Sequence, residues 1–384
     1  RFYAAPYALA YADSLKTVRR HLWRAAGLIA AETPDFAAYL KNRSRDLASG
    51  DYESGDASWV SGDFDNLNIQ IGAYETYDDN LMGVKAFFSA SILARDSARS
   101  QALEKVMTEL QAIENALPYA QHKSVRSRIP VGVYNVVADF GQARGANTAT
   151  ILPNDANHAR KYGRTILIRN NLLSNPQLFK NSALKFRAAV ATSFADHLSA
   201  DGKFNRTLWH EVGHYLGVSQ TADGDSLSLA LAERADLFEE LKSDLVSLFA
   251  APQLLEAGYY DADGLRSQYA DGVRRTLQIV QPRAEQPYQS MQLMQFNYFM
   301  EHGLLGAETD SGRLTIDYER YSSVVRDMLA EVLNIQYAGD ADAAQAFVER
   351  WNYWDERIHG RLAKRMRDAI GYRKTMVNYR ALSQ

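Results

Sequence analysis

The stretch Thr207-Leu-Trp-His-Glu-Val-Gly-His-Tyr-Leu-Gly217 constrains this chain more than any other, because it carries His210, Glu211 and His214 in the order His-Glu-x-x-His. Residues four apart on a helix lie one above the other on the same face, so both imidazoles can share one cation while Glu211 sits about 100° round. Two histidines, a third protein ligand and an open fourth position are the donor layout of zinc hydrolases. In those enzymes a water is acidified to a pKa of roughly 7 and a carboxylate such as Glu211 acts as general base. Buried helical histidines are ordinary, so the context matters. Asn205 can serve as N-cap, Leu208, Val212 and Leu216 recur at helical spacing, and Gly217 can close the helix.

The third ligand is expected downstream, in a helical segment from Ser226 to Leu255, where two spacings compete. Glu233 follows His214 by nineteen residues (233 − 214) and Glu240 by twenty-six (240 − 214). A zinc-bound imidazole usually donates its second N–H to a carboxylate, and Glu240-Leu-Lys-Ser-Asp244 offers a ligand and an orienting acid on one helical face. Glu233 has Leu237 at the corresponding place. The ligand set is therefore His210, His214 and Glu240, with Asp244 as orienter and Glu233 and Glu239 as rivals for the third position.

His210-Glu-Val-Gly-His214 followed by Glu239-Glu-Leu-Lys-Ser-Asp244 resembles the paired motifs of the dipeptidyl peptidase III family of zinc peptidases, in particular its shorter bacterial relatives. Asn66-Leu-Asn-Ile-Gln-Ile-Gly-Ala-Tyr-Glu-Thr-Tyr-Asp-Asp79 with Leu81-Met-Gly-Val-Lys-Ala86 is similar to a family segment, as are Ile151-Leu-Pro-Asn-Asp155 and Gln295-Phe-Asn-Tyr298 with Glu301-His-Gly303. The matches run from about residue 60 to 305 in the family's order.

The resemblance implies further roles. Tyr77 stands where the family places a phenol that hydrogen-bonds the tetrahedral intermediate, Glu75 where an acid holds the substrate's amino terminus, and Asn154 where an amide binds the peptide backbone. Glu239 joins Asp244 behind the ligands. Two positions depart from the pattern. Tyr288 replaces a histidine that assists catalysis; a tyrosine can donate a hydrogen bond to the oxyanion beside Tyr77 but carries no positive charge near neutral pH. Ile151 replaces a second amide that grips the free amino end. The hydrolytic core is complete, whereas the apparatus that counts dipeptides from an N-terminus is not.

A chain of 384 residues exceeds the size at which one core usually stops growing. The fold expected is α+β and predominantly α, in two lobes with the active-site cleft between them: a helical zinc-binding lobe and a lobe with a small mixed sheet or barrel. Residues 1–180 form the mixed lobe, 181–305 the zinc-binding lobe, and 306–384 are C-terminal helices free to pack on the first lobe. Strands are predicted at Leu67 to Ala73, Ile129 to Val137, Thr148 to Leu152 and Thr165 to Ile168, from their alternation and β-branched content. Helices are predicted at Ala8 to Ala31, Pro34 to Leu47, from after Asp79 to Leu117, Ala183 to Ala200, Asp263 to Ile279, Tyr288 to His302, Tyr318 to Ile335, Ala341 to Trp351 and Asp355 to Ile370. Ser49 to Phe64, rich in Gly, Ser and Asp, reads as a loop, and Asp201-Gly202 as a helix break.

The partner expected is a peptide, cleaved with one zinc ion per chain as cofactor. A formal charge of −3 gives no reason to expect nucleic acid. No apolar run is long enough for a membrane span. There are no cysteines, which excludes disulfides and thiolate ligands. No targeting segment is visible and the chain opens at Arg1, which leaves cytoplasm and export both open; the sequence does not set the oligomeric state. Two other functions fit the motifs: a scaffold that retains the zinc while catalysis has decayed, favoured by Tyr288 and Ile151, and a zinc hydrolase of non-peptide amides.

Overall fold

The computed structural model describes the chain except residues 1, 2, 4, 76–86, 126–130, 142, 145–147, 154, 284, 285, 372–376, 380 and 382–384; at 75, 87 and 156 it describes backbone only. Its residues group into two compact units. One comprises 1–103, 129–172 and 376–384, the other 104–128 and 173–375. The division is discontinuous in sequence and so differs from cuts at 180 and 305.

The first unit contains a five-stranded mixed sheet, with β1 (Leu67–Glu75), β2 (Phe87–Arg95), β3 (Val131–Gly141), β4 (Ala149–Leu152) and β5 (Thr165–Arg169) in the order β1-β2-β3-β5-β4. β3 and β5 run parallel and the other pairs antiparallel, so the small mixed sheet expected from the sequence is an open sheet. Helices Ala12–Ile29 and Pro34–Ser49 supply Leu15, Leu22, Ala26, Phe36, Tyr39, Leu40 and Leu47 to one core with Ile71, Leu93 and Val136 of the sheet. Leu15, Leu22 and Ala26 recur at helical period, which makes a single apolar stripe.

Two expectations fail here. Phe87–Arg95, read as part of a helix, is β2: its Phe88, Ala90 and Ile92 alternate with Ser89, Ser91 and Leu93, and it pairs on both sides, with β1 and β3. Long-range pairing overrides the helical propensity of Ala and Leu. The expected loop 49–64 contains the helix Glu53–Ser61, started by Asp51, whose carboxylate accepts from the Glu53 N–H, and fixed by buried Trp59, whose indole donates to Asn68 on β1 at 2.8 Å.

The second unit is built mainly of helices, with a two-stranded sheet, Leu305–Ala307 against Leu314–Ile316. The metal-motif helix runs Ala200–Gly213 and the acidic helix Ala235–Phe249. The former starts five residues before Asn205, the N-cap anticipated from sequence. Ser199 caps it by accepting from the Gly202 N–H at 3.0 Å, and Asn205 is buried inside it. Gly202 does not break this helix but lets it approach helix Ala262–Thr276, because a Cβ there would stand 2.5 Å from the Ser267 carbonyl oxygen. The preceding helix is Pro176–Ala189, earlier than predicted, since Asn175 caps it and Pro176 fits its first turn. The stretch 226–255 divides into Leu227–Ala230, a 3₁₀ turn Ala232–Arg234, Ala235–Phe249 and Ala251–Glu256. Among the described residues no helix is long and apolar enough to cross a membrane.

Candidate metal centre

Leu208 and Val212 are fully buried and anchor the metal-motif helix, and His210 and its C-cap His214, each two positions on and so on the opposite side, face the acidic helix. Gly213 lets the two helices meet. A Cβ at that position would lie 2.7 Å from the Ser243 carbonyl oxygen and 3.0 Å from its Cα, so only glycine permits this approach.

The two rings converge on one oxygen. His210 Nε2 lies 3.2 Å and His214 Nε2 4.0 Å from Glu240 Oε2, and the ligand atoms of His210, His214 and Glu240 all fall within 4.8 Å of one another. Glu240 Oε2 is buried and makes no hydrogen bond of good geometry, although two imidazole nitrogens face it. With both Nε2 atoms unprotonated, three lone pairs would point at one another, an arrangement that a cation among them would relieve. That orphaned oxygen makes the residues present a fit for a divalent metal with mixed nitrogen and oxygen ligands.

Each ring's other nitrogen meets an acid. His210 Nδ1 stands 2.7 Å from Asp244 Oδ1, at an angle that makes it a charge contact rather than a straight hydrogen bond. His214 Nδ1 is 2.8 Å from Glu239 Oε1 and 3.0 Å from Ser243 Oγ. The acids are held in turn. Asp244 accepts from Arg206 at 2.9 Å, Arg275 at 3.3 Å and Gln295 at 3.2 Å, and Arg206 also donates to Asp271 at 2.8 Å. Sequence reasoning missed Arg206, Arg275, Gln295 and Ser243, because nothing in their local spacing points to partners tens of residues away.

Electrostatics follow the contacts. Burial alone would raise the Asp244 pKa, but Arg275, Arg206 and His210 hold it well below the usual carboxylate range. Burial also opposes ionisation of Glu240, and His210, His214 and a hydrogen bond from the Tyr288 phenol outweigh it, so its pKa is lowered. For His210, burial disfavours the charged ring, yet Asp244 and Glu240 together push it up to about 9. The acids around this imidazole create a strong preference for positive charge at its position.

The structure brings together six of the residues singled out from sequence: His210, His214, Glu240, Asp244, Glu239 and Tyr288. Glu211 lies one residue on from His210, part-buried on the same helix. Tyr288, at the start of helix Pro287–Glu301, is 42% exposed while touching Glu240. Glu233 lies exposed on the 3₁₀ turn, outside the cluster. Glu75 is the last residue of β1, with its side chain outside the described residues, as Tyr77 and Asn154 are altogether. Ile151 lies on β4, paired with Ile166.

No protein-family model matches the chain. It is 28% identical over 359 residues to "Nudix hydrolase 3" of Arabidopsis thaliana, an alignment covering 91% of this chain and 46% of that protein. The chain thus spans about half the length of the curated relative it matches. Among solved structures, it is similar to the dipeptidyl peptidase III of Caldithrix abyssi, with a TM-score of 0.86 and 26% identity over 96% of this chain and 71% of that one. The dipeptidyl-peptidase III of Corallococcus sp. strain EGB follows at 0.80 and 24%, over 96% and 69%. A predominantly helical chain in two units, one with a small mixed sheet and one carrying the His-His-Glu cluster, this protein has the fold of dipeptidyl peptidase III.

Proposed function

We propose that this chain is a zinc-dependent peptidase of the dipeptidyl peptidase III kind, hydrolysing peptide bonds. The observation that carries the reading is the meeting of both imidazole Nε2 atoms at the buried, unpartnered Glu240 Oε2. His210, His214 and Glu240 would hold the metal, a three-residue set that leaves a coordination position open as in catalytic zinc sites. Zinc bound there would supply Lewis acidity toward a peptide carbonyl and toward water. Glu211 takes a proton onto its carboxylate from the attacking water and returns it to the leaving amine nitrogen. Asp244 and Glu239 fix the two rings with Nε2 facing inward. Tyr288 orients Glu240 through its hydrogen bond, Tyr77 donates to the developing oxyanion, and Glu75 and Asn154 grip the peptide's amino end and backbone. Similarity to two solved dipeptidyl peptidases supports a peptide rather than another amide as substrate.

Glu211→Gln is expected to bind zinc as the parent does and to lose hydrolysis of a mixed peptide library, read by mass spectrometry with and without chelator. Glu240→Ala is expected to lose zinc, and Glu233→Ala to keep both zinc and turnover. Chelator-resistant cleavage by the parent, or full turnover in Glu211→Gln, would remove the basis for this function.

A further inference from the structure

Lys242 is 1% exposed, and a lysine so buried needs acceptors for all three of its ammonium protons. It has three. Nζ donates to the Gly213 carbonyl at 3.1 Å, to the Leu216 carbonyl at 2.9 Å and to Glu239 Oε1 at 2.8 Å. Two of these acceptors flank His214 in sequence, and the third accepts from His214 Nδ1. The cation therefore sits at the negative end of the metal-motif helix, where the last carbonyls have no partner of their own.

We propose that Lys242 is a positioning residue for the metal centre: it binds the last turn of the metal-motif helix to Glu239, and so fixes the proton of His214 on Nδ1 and leaves Nε2 free to ligate. The inference rests on the zinc reading above. Without the ammonium, Glu239 Oε1 keeps one hydrogen-bonded neighbour instead of two, and its 34% exposed side chain is free to rotate away from the ring. The Lys242 stem adds a packing role, since its Cδ would lie 3.1 Å from a Cβ at Gly217, where φ is +78°.

A second contact on the same turn separates positioning from simple support. Glu114, from helix Leu110–Ala116, is fully buried and accepts from the Gly217 N–H at 2.7 Å, from the Lys123 N–H at 3.3 Å and from the Tyr119 hydroxyl. It clamps the turn from its donor side without touching His214 or Glu239.

The test is zinc affinity by chelator competition, with urea stability of the metal-free proteins measured in parallel. The parent is measured first: if it binds no zinc, the function proposed above fails. With a zinc-binding parent, Lys242→Met is expected to weaken zinc by about 10–100-fold, the range for loss of a group behind a ligand. Glu114→Gln is expected to lower stability while changing zinc affinity less than about threefold, because it acts on the turn and not on the ring. In the Glu239→Gln background, adding Lys242→Met should cost zinc affinity little further, since the path from the ammonium to His214 is already cut. Lys242→Arg retains the charge and is expected to recover at least part of the affinity; it also serves if Lys242→Met does not fold. Parental zinc affinity in Lys242→Met, additive losses with Glu239→Gln, or an Arg variant no tighter than an unfolded or Met-substituted protein would each overturn the assignment.

Discussion

Asp244 Oδ1 lies 2.7 Å from His210 Nδ1 while Nε2 of the same ring faces Glu240, so two carboxylates four residues apart on one helix span a single imidazole. One turn of helix thus supplies both carboxylates that flank this ring.

Asp244→Asn keeps the shape and an acceptor but removes the charge. Zinc affinity is expected to fall by about 10–100-fold in chelator competition. Arg206 and Arg275 lose their shared counter-charge in the same variant while Asp271 still pairs with Arg206, and weakening this buried network is expected to cost about 1–3 kcal/mol, read as a lower urea midpoint. An unchanged midpoint would show that Asp271 alone satisfies Arg206.

Gly213 lies where the metal-motif helix meets the backbone of the acidic helix at Ser243. Gly213→Ala places a methyl against the Ser243 backbone, which cannot rotate away as a side chain could. The expected result is about 1–3 kcal/mol of destabilisation together with weaker zinc binding, because His214 and Glu240 separate along with their helices. Wild-type affinity in this variant would mean that the helices part elsewhere along their length.

The metal-motif helix also carries Lys203, part-buried seven residues before His210. Burial, and next the Arg274 guanidinium, push its ammonium down to about 8, with Asp271 pulling the other way. Since the folded pKa lies below the ordinary 10.5, the unfolded chain binds more protons between those values, and stability from this group rises as pH climbs through that window. Lys203→Met is therefore expected to stabilise the protein at neutral pH by on the order of 1–3 kcal/mol and to lose that advantage by about pH 10. The difference between the parent and variant urea titrations isolates this lysine from the other groups; a difference independent of pH would reject the mechanism.

The His-His-Glu cluster was legible because its signals are local and helical. His210 and His214 are four apart, and so are Glu240 and Asp244, and that spacing survives into three dimensions wherever a helix forms. Lys242 was invisible as anything more than a charge on a helix, because two of its acceptors are backbone carbonyls, which carry no sequence identity. Arg206, Arg275 and Gln295 were hidden for another reason: they reach Asp244 across 38, 31 and 51 positions of the chain. In the sheet, β1, β3, β4 and β5 announced themselves by alternation or β-branched runs, whereas the Ala- and Ser-containing β2 is a strand only because β1 and β3 flank it. Helix Glu53–Ser61 has little helical propensity of its own, and the burial of Trp59 selects it over a loop.

Glu114 lies in residues 104–128, a piece that belongs with the helical unit although it stands in sequence between β2 and β3. A gene fragment started at residue 173 would encode most of that unit yet omit the carboxylate that receives the Gly217 N–H. Recombinant halves or permuted versions of this protein must splice 104–128 back in, or the turn that follows the metal-motif helix loses its buried acceptor.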